Sequence, residues 1–180
     1  MEDHIMDVEK AEKLEDDSRY RILSREELLF YVDKGDTVVD IGSGTGFFTD
    51  DIAKKAGKVY AVDFQEGMHS YYRQKGVPEN VELVHSRAAR IEIEDADLIV
   101  SILSLHEIDL DDALERFNKI LPEDGELIIW DWSANALTDE IPPRDKLYTA
   151  EKASERVSEY FEVIKADERR DTFKLEASGN

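Results

Sequence analysis

The sequence predicts an α/β fold built on a doubly wound, mostly parallel sheet of seven strands with an antiparallel C-terminal strand. Two observations predict this fold: short β-branched or apolar runs alternate with segments of helical spacing, and a hairpin closes the chain. The turn at 167–170 is too short for the crossover that parallel strands need, so the strands on either side of it pair antiparallel. The predicted strands are 37–41, 58–63, 81–85, 97–101, 126–132, 161–166 and 172–177.

Helical patterns precede the first strand and separate most of the others. Ser24 and Glu27 form a Ser-x-x-Glu capping box, which predicts that a helix begins there. Residues 1–18 are strongly acidic and weakly periodic, which predicts a loose arm or a marginal helix ahead of a single domain over 19–180. Further helices are predicted over 47–55, around Met68, Tyr71 and Tyr72, and over 110–121 and 149–160.

The chain carries a formal net charge of −20 and contains no cysteine. So acidic a surface repels phosphate backbones and anionic membranes, which argues against nucleic acid and membrane partners. The acids either attract a cationic substrate or solvate the protein in a salty cytoplasm, and their spread along the whole chain favours solvation. Without cysteine there is no disulfide, thiolate metal site or cysteine nucleophile, and the four histidines lack metal-ligand spacing, so we expect no metal.

The expected location follows from segments that the sequence lacks. No apolar run approaches the roughly 20 residues that cross a bilayer. The first four residues lack the basic and apolar regions of a signal peptide. We therefore expect a cytoplasmic protein.

A glycine-rich turn at 42–46 between a predicted strand and a predicted helix is the strongest functional signal. Its glycines let the backbone approach a ligand where a Cβ would collide, at the edge where open α/β sheets bind ligands. Asp63 ends the next strand, 17 residues after Gly46, and its carboxylate can accept both hydroxyls of a ribose. An aspartate at a strand end can also be purely structural. The third glycine follows the second too closely for a dinucleotide fingerprint, which also needs Gly or Ala where Phe47 stands.

Over roughly residues 19–177 the chain resembles class I S-adenosylmethionine-dependent methyltransferases, and among them the small-molecule enzymes related to ubiquinone and menaquinone biosynthesis. The resemblance is carried by 40–46, by 61–64 with Met68, and by 105–108, 121–125 and 129–132. It implies a Rossmann-like fold, S-adenosylmethionine as methyl donor and S-adenosylhomocysteine as product. The cofactor-binding residues that we predict are Asp40, Gly42, Ser43, Gly44, Thr45, Gly46, Asp63, Phe64, Met68, Arg87, Ala88 and Ser101.

One departure from the family concerns the adenine. The family often has Gly-Asp-Ala after the third strand, whereas this chain has Ser86-Arg87-Ala88. Arginine cannot accept a hydrogen bond. The adenine amino group must then meet other acceptors such as backbone oxygens, and Arg87 can instead stack on the adenine face.

His106 is the candidate general base, because it follows the carboxyl end of the fourth strand with Glu107 beside it. The alternative is a capping or packing role. In related enzymes the segment before the first strand folds over the cofactor, so Tyr20 is a second catalytic candidate, with helix packing as its alternative. We expect His69 on the surface and His85 in a structural role.

The expected acceptor is a small molecule. The chain lacks the Asn/Asp-Pro-Pro-Tyr/Phe motif of methyltransferases that act on adenine or glutamine amino groups, and it lacks the cysteines that cytosine-C5 and arsenite methylation need. No large insertion is available to grip a macromolecule, although a protein side chain stays open as acceptor. The protein is expected to be a monomer or a homodimer. Two other functions stay open: a non-catalytic S-adenosylmethionine-binding module and a nicotinamide-dependent oxidoreductase.

Overall fold

The computed structural model describes residues 8–180, in which seven strands form one sheet. The strands are β1 (Thr37–Ile41), β2 (Lys58–Asp63), β3 (Val81–His85), β4 (Leu98–Ile102), β5 (Glu126–Trp132), β6 (Glu162–Glu168) and β7 (Thr172–Ser178). The α-helices are α1 (Val8–Lys13), α2 (Arg25–Phe30), α3 (Phe47–Ala53), α4 (Glu66–Lys75), α5 (Leu110–Ile120) and α6 (Ala150–Val157). The predicted fold class is confirmed.

The strand order is β3-β2-β1-β4-β5-β7-β6, and β7 runs antiparallel to both of its neighbours. The chain builds outward from β1 to β3, then returns to the other side of β1 as β4. The carboxyl ends of β1 and β4 therefore flank the point where the winding reverses, which is where open α/β sheets bind ligands. In the register, Ile41 pairs with Val62 on one side and with Ser101 on the other.

Successive residues of the central strands face opposite sides of the sheet, and a buried cluster covers each side. Val39 and Ile129 belong to the cluster that contains Phe117 of α5. Val38 and Ile128 belong to the cluster that contains residues of α2 and α3. Helices thus cover both faces, as the apolar strands require.

The capping box that the sequence predicts forms in half. The Ser24 hydroxyl accepts the Glu27 N–H at 3.2 Å and begins α2. The Glu27 carboxylate pairs instead with Arg169, in the turn between β6 and β7. The guanidinium holds the pKa of Glu27 below its usual range. This ion pair joins the helix before β1 to the C-terminal hairpin.

Residues 1–7 of the predicted acidic arm lie outside the described residues. The remainder forms α1 and, over Asp17–Arg21, a 3-10 turn. β4 begins one residue later than predicted, after Asp97, whose carboxylate accepts the Thr37 N–H at 2.8 Å at the start of the neighbouring strand β1. No described helix combines the length and the apolar character needed to cross a membrane.

His69 corrects the sequence analysis, which expects it on the surface: it is fully buried. Neither ring nitrogen has a hydrogen-bond partner among the described residues. Successive helical residues are separated by about 100°, so His69 flanks the face that Met68 and Tyr72 bury. The buried face of α4 therefore runs from Met68 through Tyr72 to His69. Tyr71 lies on the other side of Met68 and is only partly buried. Burial lowers the pKa of His69 to about 4.

The buried His69 predicts a loss of stability in mild acid. Below about pH 6.5 the unfolded chain binds a proton at this histidine, whereas the folded protein binds it only near pH 4. The free energy of unfolding should therefore fall between these values, by about 3 kcal/mol in total. Urea unfolding of the wild type and of His69→Leu from pH 7 to pH 4.5 measures the difference.

The free energy of unfolding of His69→Leu should rise relative to that of the wild type as the pH falls. His85→Gln is the matched control, because His85 lies on the exposed end of β3, and its pH profile should follow that of the wild type. Parallel profiles for wild type and His69→Leu would contradict the account.

Candidate active site

The turn after β1 needs glycine for two reasons. Gly42, Gly44 and Gly46 have φ of 71°, 56° and 84°, in the left-handed region that favours glycine. A Cβ on Gly42 would lie 2.3 Å from the Ser104 side chain, and one on Gly46 would lie 2.1 Å from the Tyr72 ring. The conformation and the close packing of the turn thus both explain the glycine spacing in the sequence.

Asp63 at the end of β2 is tied to this turn. Its Oδ2 accepts the Gly44 N–H at 2.9 Å, and its Oδ1 accepts the Gln65 N–H at 2.8 Å. Burial raises the pKa of Asp63, against these hydrogen bonds, which lower it. Each carboxylate oxygen offers two lone pairs, so both oxygens can accept further hydrogen bonds from a ligand.

Asp63 lines a narrow cavity at the carboxyl ends of β1 and β2. The cavity measures about 20 Å³, which is room for about one water molecule. Gly42, Asp63, Phe64 and Ala88 are the predicted cofactor residues that line it. The other lining residues are Ile41, Val62, Ser86, Ser104, Glu107 and Ile108.

Several predicted cofactor residues lie beneath or beside the cavity. Asp40 is enclosed under the glycine turn, where it accepts the Thr49 hydroxyl at 2.6 Å and burial raises its pKa to about 6. The Ser101 hydroxyl lies 3.0 Å from that of Ser104 and is fully buried. Met68 is buried in α4. These three residues support the site and do not line the cavity.

Arg87 lies on the surface, and its guanidinium stands 5.2 Å from the centre of the Phe64 ring. This cation–π contact positions both side chains beside the cavity that Phe64 lines. Within the turn, the buried Ser43 Oγ has no hydrogen-bond partner among the described residues. Its donor and acceptor positions are therefore unused within the described protein.

The described part of the N-terminal arm packs on the glycine turn. A Cβ on Gly44 would lie 3.6 Å from Leu14, and Glu15 accepts the Thr45 hydroxyl. Glu15 also accepts from Lys75 of α4, at 3.1 Å. The sequence analysis did not identify Glu15. Its signal is weak, since nothing separates it from the other acids of the arm.

Tyr20, the second catalytic candidate, lies in the packing position that was its alternative. Its ring packs 4.8 Å from that of Phe47, and its hydroxyl donates to Asp51 of α3 at 2.5 Å. Tyr20 does not line the cavity that contains Asp63. A tyrosine whose hydroxyl has a buried carboxylate partner is satisfied where it lies, so the structure supports the packing alternative.

The chain turns sharply at the end of β4. Leu103 has φ of 55°, a left-handed conformation that costs a branched residue about 1–2 kcal/mol. Its N–H donates to the Trp130 carbonyl at 2.7 Å. The next residue, Ser104, donates its hydroxyl to the Ile41 carbonyl at 2.8 Å. Strained residues that the surroundings hold in place are common at functional sites.

This turn brings His106 to a buried carboxylate that the sequence analysis missed. His106 Nδ1 lies 3.2 Å from Oδ1 of Asp131, which is 1% exposed near the carboxyl end of β5. Asp131 also accepts the Leu105 N–H at 2.5 Å and the Trp132 N–H at 2.6 Å. An acid between apolar residues in a predicted buried strand is the signal that could have identified Asp131.

The charges around His106 and its burial have opposite effects on its pKa. Burial lowers the pKa of His106, but the hydrogen bond to Asp131 and the charges of Asp131 and Glu107 outweigh it, so the pKa is raised. Burial and the nearby carboxylates of Asp63 and Asp131 raise the pKa of Glu107. Within residues 8–180 no group of three or more His, Asp or Glu side chains is arranged to hold a metal ion.

Comparison with known proteins identifies the family. Residues 39–129, which contain the glycine turn, Asp63 and His106, match the family described as methyltransferase domain. The chain belongs to this family. It is a class I S-adenosylmethionine-dependent methyltransferase domain, with S-adenosylmethionine as its cofactor.

Solved structures are similar to nearly the whole chain. The crystal structure of a SAM dependent methyltransferase from Aquifex aeolicus superposes with a TM-score of 0.83 at 29% identity, over 96% of this chain and 98% of that chain. Sequence relatives match a shorter segment. A "Probable ribosomal RNA small subunit methyltransferase A" of Pyrococcus furiosus is 36% identical over 70 residues, 39% of this chain. The match spans only 26% of that relative's length.

The residues present fit S-adenosylmethionine chemically. Asp63 keeps lone pairs for the ribose hydroxyls, and Ser43 keeps a buried hydroxyl for a polar group beside the glycine turn. Phe64 and Ala88 offer apolar contact for the adenine. Glu107 is a carboxylate at the same cavity, which suits a cationic ligand.

Asp63→Ala should weaken S-adenosylmethionine binding at least about tenfold. Hydrogen bonds to a charged group contribute about 1.5–3 kcal/mol, and 1.4 kcal/mol corresponds to one decade of affinity. Calorimetric titration measures the affinity, with circular-dichroism melts as a check on folding. Asp51→Ala is the matched control, since Asp51 is a buried carboxylate of α3 that does not line the cavity. Normal binding by a folded Asp63→Ala variant would show that the ribose assignment is wrong.

Proposed function

We propose that this domain transfers a methyl group from S-adenosylmethionine to a small-molecule acceptor, with His106 as the general base. The observation that carries the proposal is the contact between His106 and the buried carboxylate of Asp131, beside the cavity that Asp63 and Glu107 line. A histidine held by a buried carboxylate is a common arrangement for moving a proton. The same contact argues against a non-catalytic binding module, which needs no base.

Asp131 acts as a positioning residue. Two backbone N–H groups, of Leu105 and Trp132, hold its carboxylate in place. When the neutral imidazole donates its Nδ1–H to this carboxylate, Nε2 carries no proton and can accept one from the acceptor. When bound, S-adenosylmethionine supplies a methyl group activated by its sulfonium for in-line displacement. Removal of the acceptor's proton by His106 leaves an electron pair for the new bond to carbon.

A second opening beside the cavity is the proposed acceptor cleft. Its volume is about 850 Å³, within the usual range for small-molecule pockets. Phe64, Glu107 and Ile108 line both the cleft and the cavity, so acceptor and cofactor would meet at these residues. The other residues that line the cleft are Leu105, His106, Pro142, Pro143, Asp145, Lys146, Leu147, Tyr148 and Lys152.

An RNA acceptor is the second candidate, because several relatives are named ribosomal RNA methyltransferases. The net charge of −20 opposes it, since binding a phosphate backbone depends on cationic side chains. The match to those relatives also covers only about a quarter of their length. Turnover of S-adenosylmethionine with small molecules, compared with turnover on ribosomal RNA, separates the two.

We also propose one catalytic unit over residues 19–180, a cytoplasmic location and a monomeric or homodimeric state. The contacts of Leu14 and Glu15 with the glycine turn extend this unit to the described part of the arm. The spread of acids along the chain supports a solvating role for its charge.

The roles of His106 and Asp131 predict a pH dependence. The base must be unprotonated, so the rate should rise with pH through a midpoint above 6.5, because the surroundings raise the pKa of His106. Asp131→Asn removes the charge that raises this pKa, so the midpoint should move to lower pH and the plateau should fall. The measurement is S-adenosylhomocysteine formation against pH with any active acceptor.

His106→Ala should lower turnover by about 10²–10⁴-fold and leave S-adenosylmethionine affinity near that of the wild type. His85→Gln serves as control, because His85 lies outside the cavity and the cleft. A wild-type rate in His106→Ala, or an unshifted midpoint in Asp131→Asn, would refute the assignment of the base.

A further inference from the structure

The proposed acceptor cleft contains cationic side chains that the sequence analysis did not use. Lys146 and Lys152 line it on the side formed by the segment between β5 and α6 and by the first turns of α6. Both are exposed. They stand together in a chain whose acids outnumber its basic residues by 43 to 23. A pair of lysines lining one cleft is therefore a local departure from the protein's excess of acids.

The two lysines form no ion pairs in the part of the chain that the structure describes. Exposed lysines elsewhere do find acids: Lys58 pairs with a glutamate at 2.6 Å, and so does Lys119. Lys165 pairs with an aspartate at 2.8 Å. Lys146 and Lys152 form no such contact with the described carboxylates, so their ammonium groups remain available to a ligand.

Lys146 stands near the proposed base. Its charge lowers the pKa of both His106 and Glu107, against the stronger effects that raise them. The loop that carries Lys146 is held by Arg144, which donates to the carbonyls of Ala134, Ala136 and Thr138 at 2.9–3.0 Å. The ammonium is therefore presented to the cleft by a tethered loop.

The carboxylates that line the same cleft are Glu107 and Asp145. Glu107 lies where the cleft meets the cofactor cavity, and the positive charges of His106 and Lys146 act on it. Asp145 precedes Lys146 in the 3-10 turn at Arg144–Lys146. Of the cleft-lining residues between β5 and the first turn of α6, Lys146 and Lys152 thus carry two positive charges and Asp145 carries one negative charge.

We propose that Lys146 and Lys152 hold an anionic group, a carboxylate or a phosphate, on the acceptor. This proposal rests on the proposed function, because it assigns the acceptor to the same cleft. The anionic end binds the lysines, and the end that receives the methyl group lies toward His106. Phe64, Ile108 and Tyr148 provide apolar surface for the body of the molecule between the two ends.

Binding of four small probes tests the proposal without requiring turnover. Benzoate and phenyl phosphate present the two anions, benzyl alcohol is the neutral comparator, and benzylamine is the cationic one. Titrations monitored by NMR, with S-adenosylhomocysteine present, should show both anions binding more tightly than the alcohol, and benzylamine more weakly. A preference between benzoate and phenyl phosphate identifies which anion the cleft favours.

The double variant Lys146→Met/Lys152→Met should weaken the binding of the anions by about tenfold or more, as expected for loss of charge-assisted hydrogen bonds. Its affinity for benzyl alcohol should be unchanged. Lys119→Met is the matched control, because Lys119 is an exposed lysine of α5 outside the cleft. It should bind all four probes as the wild type does.

Equal anion binding by the double variant and the wild type would overturn the proposal, as would tighter binding of benzylamine than of benzoate. Binding of an RNA oligonucleotide at these lysines in place of the small anions would also overturn it. Failure of the proposed function is read separately, as absence of S-adenosylhomocysteine formation with every acceptor. The probe titrations therefore test the anion site independently of turnover.

Discussion

The hydrogen bond from the Gly44 N–H to the Asp63 carboxylate joins the ends of two parallel strands into one site. It holds the glycine turn against the end of β2, and the N–H groups of Gly42 and Ser43 reinforce it by donating to the Val62 carbonyl. The turn can adopt this shape only with glycine at its left-handed positions. Asp63 thus shapes the turn while keeping lone pairs for a ligand, so the carboxylate predicted to bind the ribose also has a structural role.

A second carboxylate, on the side of β1 where β4 and β5 lie, holds the proposed base. Asp131 is buried at β5 and anchors the turn after β4 through the Leu105 N–H, next to the strained residue Leu103. The same carboxylate contacts His106. Because parallel strands end at one edge of the sheet, the predicted cofactor residues and the proposed base lie side by side although they are far apart in the chain.

Local patterns were enough to predict the strands, the glycine turn and Asp63, because hydrophobic alternation and glycine spacing record short-range constraints. They failed for His69, because the apolar residues of a helix do not specify how far its buried face extends to either side. In α4 this face includes His69. They also missed the pairing of Asp131 with His106 and of Glu15 with Thr45. Those contacts depend on strand order and on the path of the arm, which no local pattern specifies.

The central claim is that the glycine turn and Asp63 form a site for S-adenosylmethionine and not for a dinucleotide. Calorimetric titration of the wild-type protein with S-adenosylmethionine, S-adenosylhomocysteine and the nicotinamide dinucleotides tests it most directly. The account predicts affinity in the micromolar range for the first two ligands and no measurable binding of the dinucleotides. Tight binding of a nicotinamide dinucleotide, with none of S-adenosylmethionine, would contradict it.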